Sequence, residues 1–458
     1  MSKSLLEQFE NNLSNASLVD ANATVGGTFI WLPDGLIMRN LFLNEIRNIF
    51  KQYSFEEYTF PEFIALDEFN ILANNIKDFS KGVYIVDKDR ILSPSGECVI
   101  YPYFRRKVHT HKDLPIKVYQ FGRQFRKGNP RGVLRMNENG PFTEIHSAHA
   151  TRHDAENQVL DNIECVKRVM DFLGLPFVFS ERPAWSNNPV AEQIFAFDTL
   201  LPNGETVHMS SVYSQMQIFS RPFGVQFTDR NGQKDFTYQI EFGFGCRMIF
   251  AVLFLTMDEK GLNIPPQIAP HQVVITPIFD KLNLKEIMGY AEKLKDKLIN
   301  EGFRVAIDDD MKKSIGRRRN SSEVKGVPIR LEIGNSEWTS NIVTLVSRET
   351  NVKAEISSFL VGEKVRSMLD DSTRRMKERL ETRQRINLVE TKSLETIISI
   401  VEDGRIADLP LCHMPECAIE LERNVKGEVL GYHPNINEES CVICGKQTTY
   451  SAFQARHV

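Results

Sequence analysis

The 458-residue sequence lacks any apolar run long enough to cross a bilayer; the longest, Met248 to Met257, is broken by Thr256. No charge sign dominates either. With 56 basic and 60 acidic residues, a net charge of −4 and a pI near 6.3, a histone-like blanket of positive charge is excluded, and only local basic patches remain open. The opening residues, Met1 to Asn12, show no basic-then-apolar-then-small pattern of a secretory signal. Glycine (26) and proline (20) are too scarce for a collagen-like or low-complexity chain. A hydrophobic share of 41% against 25% charged residues excludes wholesale disorder. The expectation is a soluble, cytoplasmic protein with no membrane partner, in about three domains.

Cysteine is nearly absent until the end. Of seven, four fall in the last tenth of the chain: Cys412 and Cys417, then Cys441 and Cys444 followed by Gly445-Lys446. Two short-spaced pairs joined by a loop match a structural Zn2+ site with four thiolates, which stabilises a segment too small to build its own core. Cys98, Cys165 and Cys246 stand alone and read as small apolar filler.

The chain before Pro266 alternates apolar strands with helices. Helical spacing runs from Leu36 to Tyr53; strands are expected over Ile116–Phe121, Val133–Met136 and Tyr238–Phe242, with an apolar helix from Arg247 to Leu255. Ile264-Pro265-Pro266-Gln267 suits an extended linker. Beyond it, strands at His271–Ile278, Phe303–Ile307, Val327–Ile333 and Ile342–Val346, with a helical stripe from Leu284 to Leu298, describe a small α/β domain. One long helical stretch, its charged face expected to be solvated, is expected from Glu363 to Glu402. The divisions are 1–266, 267–362 and 363–458.

The strand–loop–strand centred on Phe125-Arg126, and Gly245-Cys246-Arg247 at a helix start, resemble motifs 2 and 3 of class II aminoacyl-tRNA synthetases. Pro61 sits where motif 1 places its dimer-interface proline. Tyr101-Pro102, Lys112 to Pro115, Ile145 to Thr151, Ala196 to Thr199, Ala269 to Ile275, Gly326 to Gly334 and the four-cysteine tail all resemble the archaeal/eukaryotic-like prolyl-tRNA synthetases. The resemblance implies an α+β protein. Its parts would be an antiparallel-sheet catalytic domain, an α/β anticodon-binding domain and a C-terminal helical linker with a zinc-binding domain, assembled as a homodimer. No inserted editing domain separates motifs 2 and 3.

The same resemblance implies the chemistry: an amino acid and ATP, with Mg2+ on the phosphates, form an aminoacyl-adenylate, and the acyl group passes to tRNA. Arg126 and Arg247 are then the catalytic pair, on the α- and γ-phosphates, where a planar fork that stays charged suits phosphate oxygens. Arg135, on a returning strand, and Ser211 add ATP contacts. Ser95 and Glu97 hold the substrate ammonium, and Phe142, Glu144, His146 and Tyr213 line the amino-acid pocket. Arg317, Arg318, Arg319 and Glu323 occupy the anticodon-reading motif.

Departures from the family pattern gather at these sites. R-P-T-S-E reads Ser93-Pro94-Ser95-Gly96-Glu97, and F-R-x-E reads Phe125-Arg126-Lys127-Gly128. G-T-x-H reads Ser210-Ser211-Val212-Tyr213, and L-G-x-N-F reads Gln215-Met216-Gln217-Ile218-Phe219. The motif Q-T-C/S-W/Y-G reads Gln239-Ile240-Glu241-Phe242-Gly243, which brings a new carboxylate toward the pocket. The anticodon motif G-W-K-F-N-E-W-E reads Gly316-Arg317-Arg318-Arg319-Asn320-Ser321-Ser322-Glu323. The tail Ala455-Arg456-His457-Val458 lacks the family's terminal tyrosine and is expected to dock differently. Three readings follow: a prolyl-tRNA synthetase-like ligase with altered amino-acid or anticodon recognition, amino-acid activation for specialised metabolites, or a decayed paralogue that binds tRNA as a regulator.

Overall fold

The computed structural model describes residues 4–457 except 22, 24, 75–78, 184, 186–189, 280 and 281. Helices α1 (Leu5–Asn15) and α2 (Pro33–Gln52) open the chain. Pro33, with its φ already helical, starts α2 three residues before the apolar spacing does, and Met38, Phe42, Ile46, Ile49 and Phe50 form its buried stripe. The catalytic sheet contains β1 (Ile116–Phe125), β2 (Glu138–His149), β3 (Val178–Glu181), β4 (Gln193–Leu200), β5 (Thr206–Met216) and β6 (Tyr238–Gly245). They lie side by side in the order β3-β4-β5-β6-β2-β1, each pair antiparallel. Helices α3 (Glu97–Lys107), α4 (Arg152–Leu173) and α5 (Arg247–Thr256) pack around it.

Side chains on successive strand residues point to opposite faces. In β6, Ile240, Phe242 and Phe244 enter the main apolar core with Phe50 and Phe250, while Gln239, Glu241, Gly243 and Gly245 line the other face. Burial on one face thereby fixes the strand register, and the register fixes what the opposite face presents.

The predicted strand Val133–Met136 does not form. Val133 and Leu134 are both buried in the α1-side core, which alternating side chains could not achieve, and residues 126–137 form a loop closed by Arg126 N to Asn137 O at 2.9 Å. Arg135 therefore lies on this loop and is exposed, and the returning strand begins at Glu138.

A second sheet combines β7 (Val273–Pro277), β8 (Val305–Ile307), β9 (Ile329–Ile333), β10 (Ile342–Ser347) and β11 (Lys353–Ser357) in the order β8-β7-β9-β10-β11. Helices α6 (Leu284–Asn300) and α7 (Ile315–Val324) accompany it. Ile264, Pro265 and Pro266 are buried rather than an extended solvated linker, and Ile264 N bonds Gly326 O at 3.2 Å. Arg348 grips Asp258 with two bonds of 2.7 and 2.6 Å, tying the second sheet to the residues just after α5.

The long C-terminal helix is two helices. The first, α8 (Val361–Asn387), ends where β12 (Leu388–Glu390) pairs in parallel with β13 (Ile406–Pro410), and α9 (Leu394–Glu402), capped by Ser393, makes the crossover. The charged face of α8 is stapled to its neighbours in places: Arg375 pairs with Glu349 and Lys377 with Asp171. Helix α10 (Pro415–Asn424) and strands β14 (Glu428–Ser440) and β15 (Gln447–Ala455) follow. Strand β14 meets β3 at Tyr432 and Glu181, so the order β12-β13-β15-β14 continues the catalytic sheet, which with the short strand Glu56–Glu57 beside β1 has eleven strands.

Among the described residues, no helix is long and apolar enough to cross a membrane. Phe244 backs the polar face from the core side, with ring neighbours Phe42, Phe50 and Phe242 at 6.3 to 6.4 Å. Phe244→Ala is expected to lower unfolding free energy by roughly 3–5 kcal/mol in urea denaturation, the range for emptying a packed aromatic site.

Candidate active site

Cross-strand register assembles the polar face in rows. Tyr213, Glu241 and His146 stand opposite one another on β5, β6 and β2, and Ser211, Gly243 and Glu144 form the next row. Gly245 then pairs with Phe142. Glycine is needed in the middle of this trough: a Cβ on Gly243 would meet Phe142 Cε1 at 2.9 Å and the Thr143 carbonyl at 3.0 Å.

The segment Ser93–Glu97 closes one side. Glu97 is the first residue of α3, and the Ser95 hydroxyl donates to its carboxylate. Gly96 N donates to Glu144 Oε1 at 2.8 Å, an approach that leaves no room for a Cβ, which would lie 2.5 Å from Oε2. Gln120 and Gln124 from β1 donate to Glu144 at 2.9 and 2.6 Å, so both carboxylate oxygens are engaged. Burial, then the Glu97 charge, raises the Glu144 carboxyl above the usual range. Glu241 is raised well above it by burial and by its hydrogen bond and charge interaction with Glu97. Burial also raises the Tyr213 phenol, with Glu241 adding to the effect.

Behind these groups runs a relay that sequence reasoning did not single out. Gln215 Nε2 donates to Glu241 at 2.9 Å, the Tyr101 hydroxyl donates to Gln215 Oε1, and His146 Nδ1 lies 3.3 Å from the same hydroxyl. The Gln120, Gly122, Gln124 spacing on a strand carried a signal for the donors to Glu144; Tyr101 and Gln215 stood in motifs, but nothing local showed that they meet. Met216 follows a bulge and has φ 50°, at the position where the family pattern has glycine. Glu97, Glu144 and His146 offer ligand atoms within 4.8 Å of one another. The N–H donors already aimed at Glu144 suit a hydrogen-bonded organic ligand better than a metal ion.

The other end of the trough is cationic. Arg247, first residue of α5, donates to the His208 carbonyl at 3.0 Å. Burial, followed by the charges of Arg135 and Arg126, pushes its guanidinium down to about 10. Arg126 is exposed and its Nε donates to the Pro94 carbonyl at 2.7 Å, which couples the 126–137 loop to the ammonium-side segment. Ser211 Oγ lies 3.2 Å from His208 Nε2, whose Nδ1 faces Asp198, itself paired with Arg182. The chain end docks nearby: His457 Nδ1 is 3.0 Å from Thr206 Oγ1, while Val458 lies outside the described residues.

The anticodon-motif arginines separate. They lie on helix α7, not a loop. Arg318 is buried against the Pro277 and Asp308 carbonyls and pairs with Asp308, so it belongs to the interior. Arg319 makes a two-pronged bond to Glu332, and Glu323 faces Arg330 at 3.5 Å. Arg317 is exposed. The four tail cysteines converge: Cys412 Sγ lies 3.5 Å from Cys417 Sγ and 3.7 Å from Cys444 Sγ, and all four sulfurs fall within 4.8 Å of one another. A tetrahedral zinc with bonds of about 2.3 Å needs sulfur–sulfur edges of about 3.8 Å. Cys98, Cys165 and Cys246 are buried, and burial raises each thiol, as befits filler.

Burial lowers the His146 imidazole to about 4. Its folded-state value lies below the unfolded one near 6.5, so its contribution to stability is complete above pH 6.5 and is lost as pH falls through 4. NMR of a ring-labelled protein is expected to show His146 uncharged at pH 6 and titrating near pH 4.

A family model of the anticodon binding domain matches residues 272–368, and one of the tRNA synthetase class II core domain (G, H, P, S and T) matches residues 84–254. The proline–tRNA ligase of Methanothermobacter thermautotrophicus is 32% identical over 467 residues, covering 99% of this chain and 95% of its own. That of Methanocaldococcus jannaschii is 34% identical over 438 residues, covering 93% and 96%. The structure of Giardia lamblia prolyl-tRNA synthetase in complex with prolyl-adenylate superposes with a TM-score of 0.94 at 25% identity, covering 99% of this chain and 98% of that one. With the core, the anticodon module and nearly full-length identity all in agreement, the chain belongs to the prolyl-tRNA synthetase family.

Proposed function

We propose that this protein activates proline or a close relative with ATP and transfers the acyl group to tRNA, with amino-acid or anticodon recognition altered from the family pattern. The observation that carries this reading is the opposition of charge along one sheet face. Arg126, Arg135 and Arg247 crowd together at one end, where only an anion relieves Arg247, and a buried ammonium-binding carboxylate stands at the other. A triphosphate and an amino acid laid end to end neutralise both.

In this reading Glu97, oriented by Ser95, holds the substrate ammonium and leaves the substrate carboxylate directed along the glycine trough. That carboxylate attacks the α-phosphorus; Arg126 stabilises the charge that builds on the α-phosphate oxygens, and Arg247 holds the far end of the triphosphate as pyrophosphate leaves. Phe142 offers a flat wall beside Gly243 and Gly245, and Ser211, fixed by His208, a hydroxyl to the nucleotide. Magnesium, when bound with the nucleotide, would shield the charge of the triphosphate. A 3′-terminal ribose hydroxyl of the tRNA then takes the acyl group from the mixed anhydride and AMP leaves; the second sheet binds the tRNA, with Arg317 as its free-facing cation.

The same reading divides the chain at 266 and 362, pairs two copies through the exposed Pro61 region, and places zinc on Cys412, Cys417, Cys441 and Cys444. The ion would act there as a structural cross-link. A regulatory role without catalysis is favoured only by Gly128, which stands where the family places a glutamate.

Proline-dependent ATP–pyrophosphate exchange and tRNA acylation by the purified protein test the proposal. Arg126→Ala and Arg247→Ala are each expected to lower kcat for exchange by about 10²–10³, the effect of removing one preorganised charge-stabilising donor; wild-type rates in both variants would overturn the assignment. Tail metal is checked separately. One zinc per chain is expected by elemental analysis, and a strong chelator is expected to lower the Tm, because a four-thiolate site is part of the tail's folding energy.

A further inference from the structure

The trough holds more carboxyl groups than one ammonium requires. Glu97, Glu144 and Glu241 are all buried, and none forms an ion pair with a lysine or arginine of the described residues. Glu144 is engaged on both oxygens by amide donors, and Glu97 by Ser95. Glu241, which shares a hydrogen bond with Glu97 and feels the Arg126 charge, is the added carboxyl: it stands where the family pattern has cysteine or serine.

Its position along β6 gives it a role. Gly243 separates Glu241 from the arginine end, and one strand repeat of two residues advances about 7 Å. Where the nucleotide lies toward Arg247 and the reacting carboxylate over Gly243, Glu241, hydrogen-bonded to Glu97, borders the amino-acid end of the trough. Its row partners are His146 and Tyr213, and Gln239 is the next residue on the same face.

Two of those neighbours are buried polar groups with unused atoms. His146 and Gln239 are fully buried, and His146 Nε2 and both amide atoms of Gln239 have no hydrogen-bond partner among the described residues. The relay behind them fixes what His146 offers. The Tyr101 proton is spent on Gln215 Oε1, so its oxygen accepts from His146 Nδ1–H, which leaves Nε2 as a bare acceptor. Gln215 in turn holds Glu241 by one oxygen. The end of the pocket thus presents three groups that can accept on one face: Glu241, once a bound cation displaces its proton, His146 Nε2 and Gln239 Oε1. An ammonium has three donors and a positive charge. The ring carbons of proline, beyond the ammonium that Glu97 holds, offer neither, and would leave these buried groups unpaired.

Resting on the aminoacylation reading above, we propose that the amino acid taken by this pocket carries a second protonated nitrogen on its side chain, held by Glu241 with His146 and Gln239. Glu241 is then the residue that sets specificity, and Tyr101 and Gln215 are positioning residues that orient it.

The test is ATP–pyrophosphate exchange by the full-length protein with L-proline, cis-4-amino-L-proline, L-ornithine, L-lysine and, as a neutral donor, cis-4-hydroxy-L-proline. At least one amine-bearing acid is expected to exceed proline in kcat/KM by about 10-fold or more, since a site built to bind a polar group discriminates strongly against ligands lacking it. Glu241→Ser and the isosteric Glu241→Gln are expected to reverse that order, while the KM for ATP stays within about twofold. Proline ahead of every amine, with the ratio unchanged in both variants, would overturn the proposal and leave the aminoacylation reading standing. Preference for the hydroxyl over all amines would overturn the cation and retain only a neutral donor. Exchange with none of the acids would sink the underlying reading itself. The wild-type ranking stands alone should either variant fail to fold.

Discussion

Like-charged groups crowded on one face of a sheet are the constraint around which this molecule is organised. Three carboxyls gather at one end and Arg126, Arg135 and Arg247 at the other, burial raising Glu144 and Glu241 and lowering Arg247, and each would relax if the backbone allowed it. The apolar face prevents that. Phe242, Phe244 and Ile240 lock β6 into its register against α2 and α5, and a one-residue slip would send those side chains into the trough and Glu241 into the core. The binding energy available to a ligand is therefore stored during folding by residues that never touch it.

Much of this was readable in the sequence because it is periodic or covalently marked. The α2 stripe, the apolar α5 and the four clustered cysteines announce themselves by spacing. Arg126, Arg247, Ser95 and Glu97 were placed by motif resemblance, and the fold brings them to one face. The errors have physical reasons. Val133 and Leu134 look like a strand fragment, but both pack inward from a loop. Leu388 to Glu390 continue a helical pattern until β13, distant in any local window, offers them a ladder to join. Arg318 has the composition of a nucleic-acid contact, and only the tertiary structure reveals that two backbone carbonyls claim it.

The relay of Tyr101, Gln215 and Glu241 was the least legible feature, since its members lie on three elements and 114 residues separate the first pair. Such arrangements specify geometry through satisfied hydrogen bonds, and although each member stands in a motif of its own, no local window shows that the three meet. Met216 illustrates the complementary case. A non-glycine residue at positive φ is strained, and it sits beside Gln215, where the surrounding strands hold it in place.

The continuous eleven-stranded sheet has a consequence for how the chain is made. Strand β3 joins β14 through residues some 250 positions apart, as between Ser180 and Leu430. On the ribosome, the catalytic strands emerge with that edge open long before its partner exists. An uncovered edge is a template for strands of other chains. Here the exposed edge is only four residues long and ends in Glu181, with Arg182 following, which limits adventitious pairing until the tail arrives to seal it.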